Sequence, residues 1–327
     1  MKKLDFVIAW VDGRDENHRL KRQQFQPENV VKGAAEDTRF AHNDEIYFSI
    51  ASILKYVPYC GTIYIITDHQ QPSFVGEFEA QGLCRSGQIQ VVDHQEIFRN
   101  YQQYLPTFNS LSIESMLWNI KGISNHFIYL NDDFFLNQQS DLSDFLIDGQ
   151  MVIYGHWQAT LIKKMKYIFR KFLQQNFGMV AEAKYSTAQM LSADRVGMTR
   201  YYEIHHRPHI LSRDLLSTYF KNNKELLEQQ IQFKFRNIDQ LLPVGLSNHL
   251  AIQSDQAILK DDIDIAYLKD GRDLEKFILA LSNSEIKFGC IQSLDQLESL
   301  AEGRIRAALI QKFTGFLPSQ IQPTTVV

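Results

Sequence analysis

The sequence predicts an α/β fold built on a largely parallel sheet, and three observations carry that expectation. Short apolar, β-rich runs alternate with helical patterns. Three of those runs stop abruptly in polar clusters, and no stretch approaches the ~18 apolar residues of a membrane span. The 327 residues suffice for one large or two modest domains. With 44% hydrophobic, 12% aromatic and 22% charged residues, collagen, coiled coil and wholesale disorder are excluded. Lys and Arg number 34 against 38 Asp and Glu, a formal net charge of −4, so no overall basic field exists to grip nucleic acid.

Each element follows in order. Residues 5–11 (DFVIAWV) end at Asp12-Gly13, a turn signal. That run is too short for a leader's apolar segment and reads as a first strand. A polar stretch, 14–38, follows, helical around His18–Phe25. Next, Ile46, Ile50, Ile53, Leu54 and Val57 recur at helical spacing, with Asn43 as a cap and Pro58 closing the end. Residues 62–67 (TIYIIT), 89–93 (IQVVD) and 127–130 (FIYL) read as buried strands. Residues 111–121 read as a helix with Ile113, Met116, Leu117 and Ile120 on one face.

The chain divides into an α/β core, 1–150, and a mostly helical part, 151–327, that packs on the sheet and completes the site. The second part holds a basic, aromatic-rich stretch at 160–175 and a helical stretch at 212–235 that opens at Ser212. Residues 304–317 (RIRAALIQKFTGFL) mix basic and apolar residues. The plainer reading is a helix docking on the core; the rival is a peripheral membrane contact. Cys60, Cys84 and Cys290 are too few and scattered for a disulfide framework or metal site. They fit reduced thiols in a cytoplasmic protein, and self-association into a homo-oligomer is left open.

In parallel sheets, ligands bind beyond the carboxyl ends of the strands. The polar clusters there are the candidate site. Adjacent carboxylates in Asn131-Asp132-Asp133 call for a compensating cation, Mg²⁺ or Mn²⁺, unless the segment is only a solvated Asx turn. Trp10-Val11-Asp12-Gly13-Arg14-Asp15 reads as a nucleotide-contacting loop or as a simple Asp-Gly turn. At the next helix entrance capping explains Asn43 and Asp44, but not Arg39.

Capping accounts for Asn109 or Ser110, while Glu114, one turn in, equally suits a solvated helix face. His205, His206 and His209 surround Pro208, which breaks the spacing a zinc site needs. One histidine as acid/base or phosphate ligand remains. Arg236, flanked by aromatics, is either compensating a helix end or recognising an anion.

The order of these clusters is more specific than any of them alone. DFVIAWVDGRD resembles the first block of the Stealth family, bacterial capsular and exopolysaccharide phosphotransferases together with the animal lysosomal-enzyme GlcNAc-1-phosphotransferase. The stretch from RFAHNDEIYFSI through VVDHQEIF and LPTFNSLSIES to GISNHFIYLNDDFFL, residues 39–136, resembles the second. HHRPHILSRDLL through FKFRNIDQLL resembles the third. FGCIQSLDQ and FTGFLPSQ match the fourth only loosely, with Gln296 near a family histidine and no Phe-Glu ending.

The resemblance implies a Rossmann-like nucleotide-sugar transferase core. It also implies transfer of a sugar 1-phosphate, from a UDP-hexose or UDP-N-acetylhexosamine, to a hydroxyl of an acceptor polysaccharide or lipid-linked glycan, releasing a nucleoside monophosphate. It assigns Asp132 and Asp133 to the metal. Asp12, Arg39, Glu114, His206, His209 and Arg236 go to catalysis, and Trp10, Gly13, Asn43, Asn109, Ser110 and Asn131 to donor binding. For the base, His206 or His209 is favoured over His94, Asp12 and Glu114, because Pro208 holds the pair in a fixed turn. The implied setting is capsule or exopolysaccharide synthesis at the cytoplasmic face of the membrane. A conventional metal-dependent glycosyltransferase and a noncatalytic carbohydrate-binding subunit are the rivals.

Overall fold

A computed structural model describes residues 3–26, 43–179, 181–292, 294 and 297–321. The five-stranded main sheet is built from β1 (Leu4–Ala9), β2 (Cys60–Thr67), β3 (Ile89–Asp93), β4 (His126–Asn131) and the strand His209–Ser212. Running across it, β3, β2, β1 and β4 are parallel, and His209–Ser212 closes the β4 edge antiparallel. The parallel strands read as continuous apolar runs because both faces are covered. Phe6, Val7 and Ile8 of β1, Ile63 and Ile65 of β2, and Phe127, Ile128 and Leu130 of β4 are fully buried. Asp5 ties the centre together: its carboxylate accepts the Thr62 N–H at 2.9 Å from β2 and the Ser124 N–H at 2.8 Å from the approach to β4.

The helix Glu45–Tyr56 covers the sheet with Ile46, Ile50 and Ile53, the residues its period singles out. Its entrance differs from the expectation. Asp44, in the left-handed region at φ 64°, is the N-cap, with no side-chain capping bond. Asn43 instead donates its N–H to Glu45 Oε2 at 2.8 Å and accepts from Arg306 at its carbonyl. The expected helix over 111–121 is also broken, into Ser110–Glu114 and a 3₁₀ turn at Leu117–Asn119. Ser115 Oγ bonds back to the Leu111 carbonyl and Trp118 Nε1 takes the Ser115 carbonyl, side-chain bonds that compete with helix continuation.

Residues 151–327 add helices and further strands, and His209–Ser212 weaves this half into the main sheet. Ser212 caps the helix Arg213–Asn222 by accepting the Leu215 N–H, as its position predicts. The helical stretch then breaks at Asn223 and resumes as Lys224–Ile231. Residues 304–317 behave as the docking reading expects. Ile305 and Leu309 of the helix Ser299–Lys312, and Phe313 after it, are fully buried. The cysteines are free thiols.

Candidate active site

Strand order reverses between β1 and β4, because β2 and β3 build out on one side of β1 and β4 on the other. That is the switch point where open α/β sheets form their ligand crevice. Ala9 pairs in register with Asn131, so the loops after the two strands, Trp10–Asp15 and Asn131–Asp133, emerge side by side.

The β4 loop is electrostatically loaded. Burial raises Asp132 well above the usual carboxylate range, and the nearby charges of Asp133 and Glu45 push the same way. Burial lifts Asp133 to about 6, partly offset by a hydrogen bond from Cys290 Sγ at 3.4 Å and by Arg236. Glu45 is pushed up to about 7 by burial, against hydrogen bonds from its own and Asn43's backbone and the charge of Arg306. Asp133 Oδ1 is buried without a hydrogen-bond partner. An orphaned carboxylate oxygen among hard oxygen donors suits Mg²⁺ or Mn²⁺.

Beside this loop lies a cleft of about 380 Å³ whose lining includes Glu114, Asn131, Tyr185, His206, His209 and Arg236. Its parts come from segments about a hundred residues apart. Arg236 lies five residues beyond the end of the helix Lys224–Ile231, so dipole compensation does not account for it. Its Nη2 donates to Ser110 Oγ at 2.6 Å. Arg236 thereby spans from the loop after that helix to the entrance of Ser110–Glu114. Glu114 is only 4% exposed, not a solvated helix residue. Burial pushes its pKa up to about 7, against the charge of Arg236 and hydrogen bonds from Tyr129 and Ser110. Its Oε2 has no hydrogen-bond partner. Tyr129 links the cleft to the β4 loop, donating toward Glu114 Oε1 at 3.3 Å and Asn131 Oδ1 at 2.9 Å.

The two favoured histidines separate. His209 sits within the sheet, its Nε2 3.0 Å from the His205 carbonyl, and burial drives its pKa well below the ordinary value. It is a neutral structural group at physiological pH, which corrects its assignment as a base. His206 stays partly exposed to the cleft, stacked on the Tyr185 ring at 4.8 Å. Burial, with Arg236 and His205 nearby, also lowers its pKa, which keeps it unprotonated and able to accept a proton.

The structure also bears on Asn109, Trp10 and the passed-over candidate His94. Asn109 is fully buried and spent on structure: Oδ1 caps the Leu111 N–H, and Nδ2 bonds the Phe233 carbonyl and Gln240 Oε1. Trp10 packs edge-on to Phe74 at 5.1 Å and is 7% exposed. His94 is buried at the end of β3 with its pKa lowered to about 4 by desolvation, unsuited to act as a base near neutrality.

Asp12 and Gly13 occupy the β1 turn outside the cleft lining. The Asp12 carboxylate takes the Arg14 N–H at 2.9 Å, and its backbone is bracketed by Gln70. Arg39 and Gln296 lie outside the described residues. The strand Phe288–Ile291 of the loosely matching fourth block nevertheless backs the acidic loop, with the Ile291 N–H donating to the Asp133 carbonyl at 2.8 Å. It also pairs with the short strand Phe134–Leu136, where the Phe135 ring lies against Gly289 so closely that a Cβ would collide with it.

Among the described residues, His156, His205 and Asp262 bring three ligand-type atoms within 4.8 Å of one another, a group that does not include Asp132 or Asp133. His156 is held there between carboxylates, 2.5 Å from Asp262 and 3.5 Å from Glu203. The His205 side chain thus lies with His156 and Asp262, while its carbonyl meets His209 Nε2. Glu45 belongs to the same helix-entrance cluster as Arg39, Asn43 and Asp44, where its sequence position alone reads as an acidic residue at the positive end of the helix dipole. Tyr129, Tyr185 and Cys290 escaped the sequence reading as site residues, since none carries a local signal.

The strand order and the acidic crevice define a Rossmann-like α/β protein with its site at the switch point. Residues 39–153 match the model for Stealth protein CR2, conserved region 2. A capsular polysaccharide phosphotransferase of Actinobacillus pleuropneumoniae is 39% identical over 145 residues, 43% of this chain and 38% of that protein. One of Neisseria meningitidis is 40% identical over 138 residues, 41% of this chain and 35% of that protein. An exopolysaccharide phosphotransferase of Streptomyces coelicolor is 29% identical over 271 residues, 82% of this chain and 27% of that protein. Through residues 39–153 the chain carries the Stealth conserved region 2, and its match spans less than two fifths of each relative's length.

Among solved structures, the bifunctional glycosyltransferase WbbM covers 96% of this chain and 50% of its own at 8% identity, TM-score 0.46. A galactosyltransferase with donor and acceptor sugar analogues covers 88% and 87% at 12% identity, TM-score 0.38.

Proposed function

We propose that the chain transfers a sugar 1-phosphate from a nucleotide-sugar, a UDP-hexose or UDP-N-acetylhexosamine, to a hydroxyl of an acceptor glycan in capsule or exopolysaccharide synthesis. The observation that carries the reading is the convergence of a guanidinium, a buried carboxyl and an imidazole in one cleft beside paired carboxylates. Arg236, Glu114, His206 and the Asn131–Asp133 loop reach it from four segments. The similarity to capsular phosphotransferases supports the choice of reaction class.

Phosphoryl transfer needs positioning and charge compensation more than covalent chemistry. The acceptor oxygen attacks the β-phosphorus, the bond from that phosphorus to the α-phosphate's bridging oxygen breaks, and the nucleoside monophosphate leaves. His206 takes the acceptor's proton. Arg236, fixed by Ser110, offers a planar fork to the phosphate oxygens, which Lys cannot copy. Protonated Glu114 can donate to a sugar or phosphate oxygen, and Asn131, held by Tyr129, contacts the donor. Asp132 and Asp133 would hold a divalent cation, which neutralises pyrophosphate charge when bound.

Asp12, Gly13, Ser110 and the second-block residues Arg39 and Asn43 complete the donor site in this reading. The acceptor is a polysaccharide or lipid-linked glycan, and the setting is the cytoplasmic side of the membrane. No described helix is long and apolar enough to cross a bilayer. Incubating the protein with UDP-sugars, a divalent cation and acceptor glycan tests the reading. UMP release with phosphorus retained in the product supports it. UDP release makes the chain a conventional glycosyltransferase, and neither product makes it a binding subunit.

A further inference from the structure

We infer that the helix Thr160–Phe177 is a docking face for an anionic lipid bilayer. The helix is turned inside out relative to an ordinary surface helix. Leu161, Ile162, Met165, Ile168, Phe169 and Phe172 are each more than half exposed, and Phe177 and Met179 continue the apolar surface. At 100° per residue, 161, 165, 168 and 172 form one line and 162 and 169 widen it on one side, a continuous stripe facing solvent.

The polar side holds the helix to the protein. Lys163 pairs with Glu203 at 3.2 Å and Lys164 with Asp194 at 2.5 Å. Tyr167 and Lys171 both reach the carboxylate of Asp239, at 2.8 and 3.0 Å. A soluble helix buries its apolar stripe and shows its charges. This one does the reverse, and an apolar surface of this extent marks an interaction site.

Charge selects the occupant. Residues 160–181 contain five Lys and Arg and no Asp or Glu. Lys166, about 40° beyond the Ile162 edge of the stripe, and Arg170, farther round the same side, pair with no carboxylate among the described residues. A second copy laid on this face would set cations against cations, whereas anionic headgroups complement them while the acyl boundary takes the apolar stripe.

The position adds a use. The chain runs from this helix into Glu182–Tyr185, which lines the cleft, and Asp239, which the helix grips, adjoins Gln240 of the same lining. A bilayer against the helix therefore lies next to segments that line the cleft, where a lipid-linked acceptor can present its hydroxyl; this use, unlike the docking, rests on the transferase reading.

The test is sedimentation of the full chain with vesicles of phosphatidylcholine alone or with about 30% phosphatidylglycerol, at low and high salt. The chain is expected to pellet with the anionic vesicles, at least about tenfold more weakly with neutral ones, and to be released by salt. Phe169→Ser/Phe172→Ser, on the solvent side, should abolish binding with an unchanged circular dichroism spectrum. Lys166→Gln/Arg170→Gln should weaken it roughly fivefold per charge removed. Wild type left in the supernatant, or both variants binding like wild type, overturns the proposal. So does a dimer in sedimentation equilibrium that Phe169→Ser/Phe172→Ser dissociates, since a second copy then covers the face. Vesicle binding is read without turnover, so a chain that binds vesicles and releases no UMP refutes the transferase reading alone.

Discussion

Replacing Glu114 by Gln separates the cost of its buried carboxyl from everything else in the cleft. Gln keeps the shape and the capacity to accept from Tyr129 while removing the ionisation. In the folded protein Glu114 titrates near 7 instead of the usual 4.5, because burial penalises its charged form more than Arg236 and its hydrogen bonds compensate. A folded pKa above the unfolded one means stability that is complete below about pH 4.5 and is lost as pH rises through about 7.

With those two values the ionisation penalty is about 3 kcal/mol at pH 8 and under about 1 kcal/mol at pH 5, a difference of about 2.5 kcal/mol. Urea unfolding of wild type and Glu114→Gln, both in chelator, should therefore converge near pH 5. By pH 8 the variant should lie above wild type by about that amount. Glu45 and Asp133 titrate in both proteins and cancel in the comparison. Parallel stability curves across that range would show that Glu114 is hydrated and ordinary, and would remove it as a proton donor in the cleft.

The other predictions touch the remaining parts of the site. Arg236→Lys keeps the charge but loses the fork onto Ser110 and phosphate, so kcat for UMP release should fall by about 10²–10³, or roughly 3–4 kcal/mol; near-normal kinetics would return Arg236 to a structural role. Asp133→Asn should weaken Mn²⁺ binding, followed by electron paramagnetic resonance, by about tenfold or more, since Mn²⁺ favours charged oxygen ligands. Without metal it should stabilise the fold above about pH 6, where the buried carboxylate otherwise ionises. His206→Gln should abolish the acidic limb of the pH–rate profile, which lies below the ordinary imidazole value because the His206 pKa is lowered. His209→Gln should retain that limb and lose stability, since its ring is committed to the His205 carbonyl.

Legibility in the sequence followed physical locality. The strands β1 to β4 were readable because burial on both faces makes each a continuous apolar run, and the period of Ile46, Ile50 and Ile53 located their helix. The carboxylates of the β4 loop were readable because they are adjacent in the chain. What stayed undecided needed tertiary knowledge. For Arg236 the helix-end and anion readings stood side by side because nothing near it in sequence reveals Ser110 as its partner. For Glu114 a solvated face stayed open because the segment that shares its cleft, around Arg236, is distant in sequence. His206 and His209 looked alike because only strand pairing places one inside the sheet and leaves the other facing Tyr185. The outward stripe of Thr160–Phe177 showed as a basic aromatic helix, but periodicity does not say which side faces the protein.

The antiparallel strand His209–Ser212 has a consequence for dissecting the molecule. It is the only cover on the outer edge of β4 within the main sheet, among the described residues, and it arrives from the second half of the chain. A fragment ending near residue 150 would contain every parallel strand of the main sheet yet leave the outer edge of His126–Tyr129 unpaired along an apolar border. Such a border recruits whatever strand it meets, so that fragment should self-associate through β4 and deposit as aggregate. Supplying 151–327 in trans, co-expressed from its own start, should keep it in solution by restoring the missing neighbour. The covalent order of the two halves would then matter less to folding than their simultaneous presence.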